Sequence, residues 1–324
     1  MATSRLSAAL DAGVLSLLAE GPILVLRPPP EADLAALPQE RVRVETGFRP
    51  HADYWSAAGY ETGTDAGPAA LAIVFLPRSK AFARALIAEA AARAPMVVVD
   101  GPKTHGVDSF WREARKRLGD LPSDTRDHGR LFIMSPGDAL ADWAAEGPQR
   151  AEDGWVRQPG IFSEDRIDKG SALLAEALPK KLPSRMADFG AGWGFLAAAA
   201  LERRGVESID LIEAEALALE CARANVPDPR AAFLWEDAAT FKAETPYAGI
   251  VMNPPFHSGR SADPGLGQAF IAAARRNLTQ GGQLWLVANR HLPYEAALDA
   301  AFSRVEELGG DGAFKLLHAT RPRR

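Results

Sequence analysis

The chain has 324 residues, 47% hydrophobic and 24% charged, with 37 basic against 42 acidic side chains and a net charge of −5. These are ordinary globular values, which exclude a collagen, a disordered tail protein and a disulfide-stapled mini-scaffold; at about 150 residues per domain the length predicts two domains. A globally basic footprint for nucleic acid is absent, so clusters such as Arg112, Arg115, Lys116 and Arg117 are either a local binding patch or a solvated helix face. The single Cys221 has no partner for an internal disulfide, and a reducing, cytoplasmic setting is expected. The amino terminus lacks the basic and continuously apolar regions of a signal peptide. No window approaches the ~18 apolar residues of a membrane helix, so no membrane partner is expected.

In chain order, Ala72-Ile-Val-Phe-Leu-Pro77 in the first half parallels Gly249-Ile-Val-Met-Asn-Pro254 in the second at a constant offset. Each precedes an Ala-rich helix and another apolar strand, Met96 to Val99 or Leu284 to Ala288. The parallel reads either as a duplication or as the common pattern of two α/β domains. At one position the copies part: Leu76 stands where the second half has Asn253, and the first half has no glycine-rich turn. The Pro- and Gly-rich stretch from Pro136 to Pro159 is the expected seam, giving domains 1–150 and 151–324. Beyond it, strands are expected at Met186 to Phe189, Ser208 to Ile212, Ala231 to Leu234, Ala248 to Met252 and Leu284 to Ala288. Helices are expected over Phe195 to Arg204, up to Ala224 with Asn225 as cap, and over Phe270 to Leu278. This alternation predicts a doubly wound α/β fold with a parallel sheet covered on both faces.

Asp188-Phe-Gly-Ala-Gly-Trp-Gly194 lies between a predicted strand and helix. Gly190, Gly192 and Gly194 permit a tight turn and close backbone approach to a ligand at a helix amino terminus. A dinucleotide fingerprint needs G-x-G-x-x-G, and position 195 is Phe, so the fit is to the D-x-G-x-G-x-G turn that binds S-adenosylmethionine. Glu213, ending the next strand about 20 residues on, is placed to accept from ribose hydroxyls or serves as a helix-start acid. Asp237, at the end of the third strand, is placed to accept from an adenine amino group.

The fourth strand runs into Asn253-Pro254-Pro255-Phe256. In an open parallel sheet, ligands bind at the carboxyl ends of strands, so this loop faces the glycine turn. The chemistry suits an exocyclic amine on a base, whose lone pair is delocalised into the ring. The Asn253 side-chain oxygen and the Pro254 carbonyl can each accept one amine N–H. Pro254 and Pro255 stiffen the loop, and Phe256 can stack on an extruded base.

Gln158-Pro-Gly-Ile-Phe-Ser163, Ile167-Asp-Lys-Gly-Ser171, the glycine turn, Asn253-Pro-Pro-Phe-His257, Val287-Ala-Asn-Arg-His-Leu-Pro-Tyr294 and Gly312-Ala-Phe-Lys315 occur in that order. Together they resemble the bacterial small-subunit ribosomal RNA guanine-N2 methyltransferases of the methyltransferase small-domain family. The resemblance is close over about residues 155 to 320 and loose before them. It implies two tandem Rossmann-like class I methyltransferase domains, the amino-terminal one degenerate and left to RNA docking or structure. It also implies S-adenosylmethionine as donor and a guanine amino group of 16S rRNA, within an assembled small (30S) subunit, as target. A monomer is expected.

Other residues carry weaker signals. Phe162 is a lid over the cofactor or a core anchor. His257 is a base or phosphate contact or a loop histidine. Arg290 and Lys315 are phosphate contacts or solvated, and Trp193 shapes the pocket or packs on the sheet. Cys221 reads as core. No Cys/His cluster has metal-ligand spacing, and no metal is expected. Alternative readings are a large-subunit RNA guanine-N2, adenine-N6 or protein glutamine methyltransferase, a ribosome assembly factor, and an NAD-dependent oxidoreductase, the last disfavoured by Phe195.

Overall fold

The computed structural model describes residues 4–255 and 264–323. The chain divides into two compact units, Met1–Gly147 and Pro148–Arg324. The first contains α1 (Arg5–Asp11), β1 (Ile23–Leu26), β2 (Val42–Glu45), α2 (Arg49–Ala57), β3 (Glu61–Gly63), β4 (Leu71–Phe75), α3 (Lys80–Arg93), β5 (Met96–Pro102), α4 (Val107–Leu118), β6 (Ser123–Arg126) and β7 (Gly129–Met134). Its sheet has the order β3-β2-β1-β4-β5-β7-β6.

The second unit opens with a short hairpin, β8 (Gln149–Arg150) and β9 (Val156–Arg157). It continues through α5 (Lys169–Ala177), β10 (Arg185–Phe189), α6 (Phe195–Leu201), β11 (Ser208–Glu213), α7 (Ala216–Asn225), β12 (Ala231–Trp235) and β13 (Tyr247–Met252). It closes with α8 (Pro264–Asn277), β14 (Leu278–Asn289), α9 (Glu295–Ala301), β15 (Phe302–Gly310) and β16 (Phe314–Pro322). The sheet order is β12-β11-β10-β13-β14-β16-β15. Counted from each unit's first main strand, the two orders are the same, and so are the strand directions.

Alternation along the central strands explains why both faces of the second sheet are dry. Ile250 and Met252 join one buried cluster and Val251 the other; Leu284, Leu286 and Ala288 alternate likewise with Trp285 and Val287. Side chains on successive strand residues point to opposite faces, so a continuous apolar run covers both. No described helix is long and apolar enough to cross a membrane.

The structure corrects several expected elements. The sheet is mixed rather than parallel, because β16 runs antiparallel to both β14 and β15. That pair was unforeseen: its residues are charged along β15, and only β16 is buried as a core strand. Helix α6 stops at Leu201, not Arg204, and the chain turns at Gly205, whose φ is +95° and whose added Cβ would lie 2.5 Å from the Leu182 carbonyl oxygen. Asn225 ends α7 but is no left-handed cap. Its side chain instead bonds both polar groups of the Val156 backbone and the Trp193 carbonyl. Helix α8 starts earlier than expected and gives way at Leu278 to β14, which is longer than the predicted strand.

At equivalent places the first unit lacks the second's asparagine and glycine turn, and its strand-end glutamate is already engaged. Leu76 follows β4 as Asn253 follows β13, and it is 5% exposed. Arg27-Pro28-Pro29-Pro30 follows β1 where a glycine turn follows β10; three prolines offer no N–H to a ligand. The buried Glu45 at the end of β2 is paired with Arg93 at 2.7 Å.

Candidate active site

Strands β10, β11 and β13 are adjacent and parallel, so their carboxyl ends lie side by side. A cleft open to solvent there has Gly190, Gly192, Trp193, Phe162, Ser171 and Asn253 among its walls. The glycine turn and the asparagine after β13 therefore share one cavity, as their places at the carboxyl ends of neighbouring parallel strands led us to expect. The glycine φ values are +71° at Gly190, +54° at Gly192 and +91° at Gly194, a region that L side chains rarely adopt. An added Cβ would meet nothing within 4 Å at Gly192, which keeps the cradle open, whereas at Gly194 it would lie 2.8 Å from Val226.

Asp188, at the penultimate position of β10, is fully buried. Neither of its carboxylate oxygens has a hydrogen-bond partner among the described residues. Burial pushes its pKa up to about 8; the Glu213 charge adds to this, and the nearby Ala197 N–H opposes it only in part. An unpaired buried carboxyl costs free energy unless a donor meets it. The orphaned pair of acceptors beside a glycine cradle fits a cationic, amino-bearing ligand.

Glu213 accepts from the Gly192 N–H and the Glu215 N–H, each at 2.8 Å. It thus braces the turn, a role its position at the strand end did not announce. Burial raises its pKa despite those two donors. A carboxylate has about four lone-pair sites, which leaves two for a ligand's hydroxyls. Asp237 follows β12 and accepts from the Ala239 N–H at 2.9 Å in a local turn; it is not among the residues lining the cleft.

Asn253 donates through Nδ2 to Asp168 Oδ2 and to Ser171 Oγ, both at 2.9 Å. Its Oδ1 has no partner among the described residues. Pro254 is buried and Pro255 exposed. Phe256 and His257 lie outside the described residues.

Phe162 is 55% exposed and lines the cleft, so it is not a core anchor. Trp193 is buried against Trp155 and Phe195 at 5.1 and 5.6 Å while still forming part of the cleft wall. Cys221 is fully buried in the core, which pushes its thiol up to about 11. Lys315 is not placed to meet a phosphate: its buried Nζ donates to the Leu292 carbonyl at 2.6 Å and to Glu295 at 2.5 Å. Arg290 bonds Glu307 and the carbonyls of Asp311 and Phe314, bracing the end of the β15–β16 pair. Among the described residues no group of three or more His, Cys, Asp or Glu side chains is arranged to hold a metal.

Asp168 and Ser171 were legible only as parts of a motif. Asp168 is the N-cap of α5, and a capping acid accounts for itself locally; nothing nearby signals that its oxygen also reaches a residue 85 positions away. Gln158 likewise anchors its segment, donating to the Leu217 carbonyl and Glu220 at 2.9 Å.

Residues 154–318 match the family model described as "Methyltransferase small domain". The ribosomal RNA small subunit methyltransferase C of Hahella chejuensis is 30% identical over 328 residues, covering 93% of this chain and 94% of that protein. The protein of the same name from Shewanella piezotolerans is 30% identical over 257 residues, 75% of each chain. Among solved structures, the Thermus thermophilus 16S rRNA N2 G1207 methyltransferase, in complex with AdoMet and guanosine, superposes with a TM-score of 0.79 at 23% identity. That alignment covers 96% of this chain and 91% of the other, so the two chains share their fold, which here is two seven-stranded α/β units of the same strand order. With the family model spanning half of the sequence and a relative aligned along nearly all of it, this chain belongs to the methyltransferase small-domain family.

Proposed function

We propose that the chain is an S-adenosylmethionine-dependent methyltransferase acting on the exocyclic N2 amine of a guanine in 16S rRNA, presented by the small ribosomal subunit in the cytoplasm. The observation that carries this reading is the one cleft walled by both the glycine turn and Asn253, with Asn253 Oδ1 unpartnered among the described residues. The names of the 30% identical relatives support ribosomal RNA of the small subunit as the substrate class.

When bound, S-adenosylmethionine supplies an electrophilic methyl group on a sulfonium. Asp188 offers its two unpaired acceptors to the cofactor's ammonium, which restores the carboxylate charge that burial suppresses. Gly190, Gly192 and Gly194 let the backbone approach closely, Glu213 takes the ribose hydroxyls, Asp237 is assigned to the adenine end, and Phe162 covers the cleft. Asn253 Oδ1 and the Pro254 carbonyl accept the two amine hydrogens. That favours a pyramidal nitrogen whose lone pair points at the methyl carbon. The bound cofactor would supply the methyl for a nitrogen–carbon bond in exchange for its carbon–sulfur bond, and Asn253 and Pro254 would hold the amine hydrogens until one is released to water after transfer. Pro255 stiffens the loop, and Phe256, outside the described residues, is assigned to stacking on the base. The first unit, with the chemistry removed from its strand ends, is assigned to docking the RNA.

The test is transfer of labelled methyl to unmodified small subunits, naked 16S RNA and large subunits, read by nucleoside digestion, with Asn253→Ala alongside. N2-methylguanosine from small subunits, lost at least about 100-fold in Asn253→Ala while cofactor affinity holds within twofold, is expected for an acceptor acting in the transition state. N6-methyladenosine, or label confined to large subunits, overturns the base or the target respectively.

A further inference from the structure

Asn253 can serve as an acceptor only if its carboxamide presents oxygen, not nitrogen, to the cleft. A carboxamide's two ends are nearly equal in shape, so something must choose between them. Asp168 Oδ2 and Ser171 Oγ both face the Asn253 nitrogen at 2.9 Å. An ionised carboxylate only accepts, so the end facing it must be the one bearing hydrogens. Two acceptors for two N–H bonds leave Oδ1 as the free end.

The same Asp168 oxygen caps α5, accepting from the Ser171 N–H at 2.8 Å. Gly170 lets this helix start pack closely, since an added Cβ there would lie 3.0 Å from the Phe314 ring and 3.1 Å from Asp168 Oδ2. Lys169 ties it further to Asp311 at 2.6 Å. The chain carries its own control for the capping role. In the first unit the helix before the first main strand, α1, is capped by Ser4, which accepts from Ser7 at the same spacing. There Leu76 occupies the asparagine's place. The copy with no asparagine to hold caps with serine; the copy with one caps with aspartate. We infer that Asp168 and Ser171 are positioning residues that set the orientation of the Asn253 carboxamide, beyond the helix cap that either serine or aspartate provides.

The inference rests on the amine-methylation reading for its kinetic arm only, and a second arm reads the side chain directly. Asp168→Ser keeps a cap, as Ser4 and Ser79 show, but is too short to serve Asn253; Ser171→Ala removes the other acceptor. In protein labelled with 15N-asparagine, the Asn253 side-chain amide signal, assigned by its loss in Asn253→Ala, is followed for shift and exchange with water. The wild-type amide is expected to exchange slowly, and Asp168→Ser/Ser171→Ala to speed exchange at least tenfold. In the kinetic arm the double variant is expected to lower kcat by about 10- to 100-fold, by analogy with the loss of outer partners that orient a metal's ligands. The Kd for S-adenosylmethionine should stay within twofold and the melting temperature near wild type, with Asp168→Asn recovering most of the kcat. An amide signal unmoved by the double variant overturns the inference whatever the enzyme methylates. A kcat within threefold of wild type overturns it equally. Absence of guanine methylation in the wild type, with the amide response present, overturns the functional reading and leaves the positioning intact.

Discussion

The backbone N–H of Gly192 donates to the Glu213 carboxylate at 2.8 Å, so the acid that ends β11 ties down the turn that follows β10. The same carboxylate takes the Glu215 N–H at the entry to α7. Glu213→Ala leaves both donors without that partner. It should cost about 1–3 kcal/mol, the penalty for leaving buried donors unmet, with no ligand present. Urea unfolding of the ligand-free protein checks this, and an unchanged midpoint would reduce Glu213 to a ligand contact alone.

The glycines of the turn should separate by what their Cβ would touch. At Gly192 the space is open and φ is +54°, so Gly192→Ala costs roughly 1–2 kcal/mol of backbone strain. Its methyl group enters the cleft, and cofactor affinity should fall at least tenfold. At Gly194 the added carbon lies 2.8 Å from Val226, so Gly194→Ala adds overpacking of about 1–3 kcal/mol to the strain. Calorimetric titration with S-adenosylmethionine, together with thermal unfolding, distinguishes the two.

Asp188 makes ligand-free stability depend on pH in an unusual sense. Its pKa is about 8 in the folded chain against about 3.9 unfolded. Between those values the unfolded chain has released the proton and the folded chain keeps it. Stability therefore falls as pH rises from about 4 to about 8 and levels off above. Asp188→Asn removes the titration and should stabilise the ligand-free protein near pH 8 by at least about 1.4 kcal/mol, the free energy of a one-unit pKa displacement. It should weaken cofactor binding at the same time. Urea midpoints across this pH range test the slope.

Phe162 presents an aromatic ring to solvent at the cleft, 55% exposed. Truncating it should leave stability within about 0.5 kcal/mol, as exposed substitutions do. Phe162→Ala should raise the cofactor Kd several-fold, read by the same titration. A loss of stability instead of affinity would assign the ring to packing.

What could be read from the sequence followed from how local each signal is. The glycine turn and the asparagine after β13 were legible because strand-end chemistry is written in short contiguous strings whose position the fold rule supplies. Cys221 was legible as core from its place in an amphipathic helix. Lys315 was not: a lysine in an apolar strand looks like a free cation until the Leu292 carbonyl and Glu295 are seen around it. Asn225 misled for a related reason, since asparagine after a helix is an ordinary cap, whereas here it locks the Val156 backbone to the glycine turn. The β15–β16 pair escaped because its edge strand is charged where a buried strand would be apolar. Asp168 and Ser171 lie between these cases, visible as a motif and explicable as a cap, with their hold on Asn253 written only in three dimensions.

The shared strand order has a consequence for what the first unit can hold. Its strand ends differ from those of the second at three separate places: prolines after β1, Glu45 held by Arg93, and Leu76 after β4. Leu76 is itself wedged against Gly101, where an added Cβ would lie 2.9 Å away. Leu76→Asn would therefore bury an amide with neither an aspartate cap to orient it nor a glycine cradle beside it. Restoring any one of these groups alone would therefore not rebuild a cleft like that of the second unit.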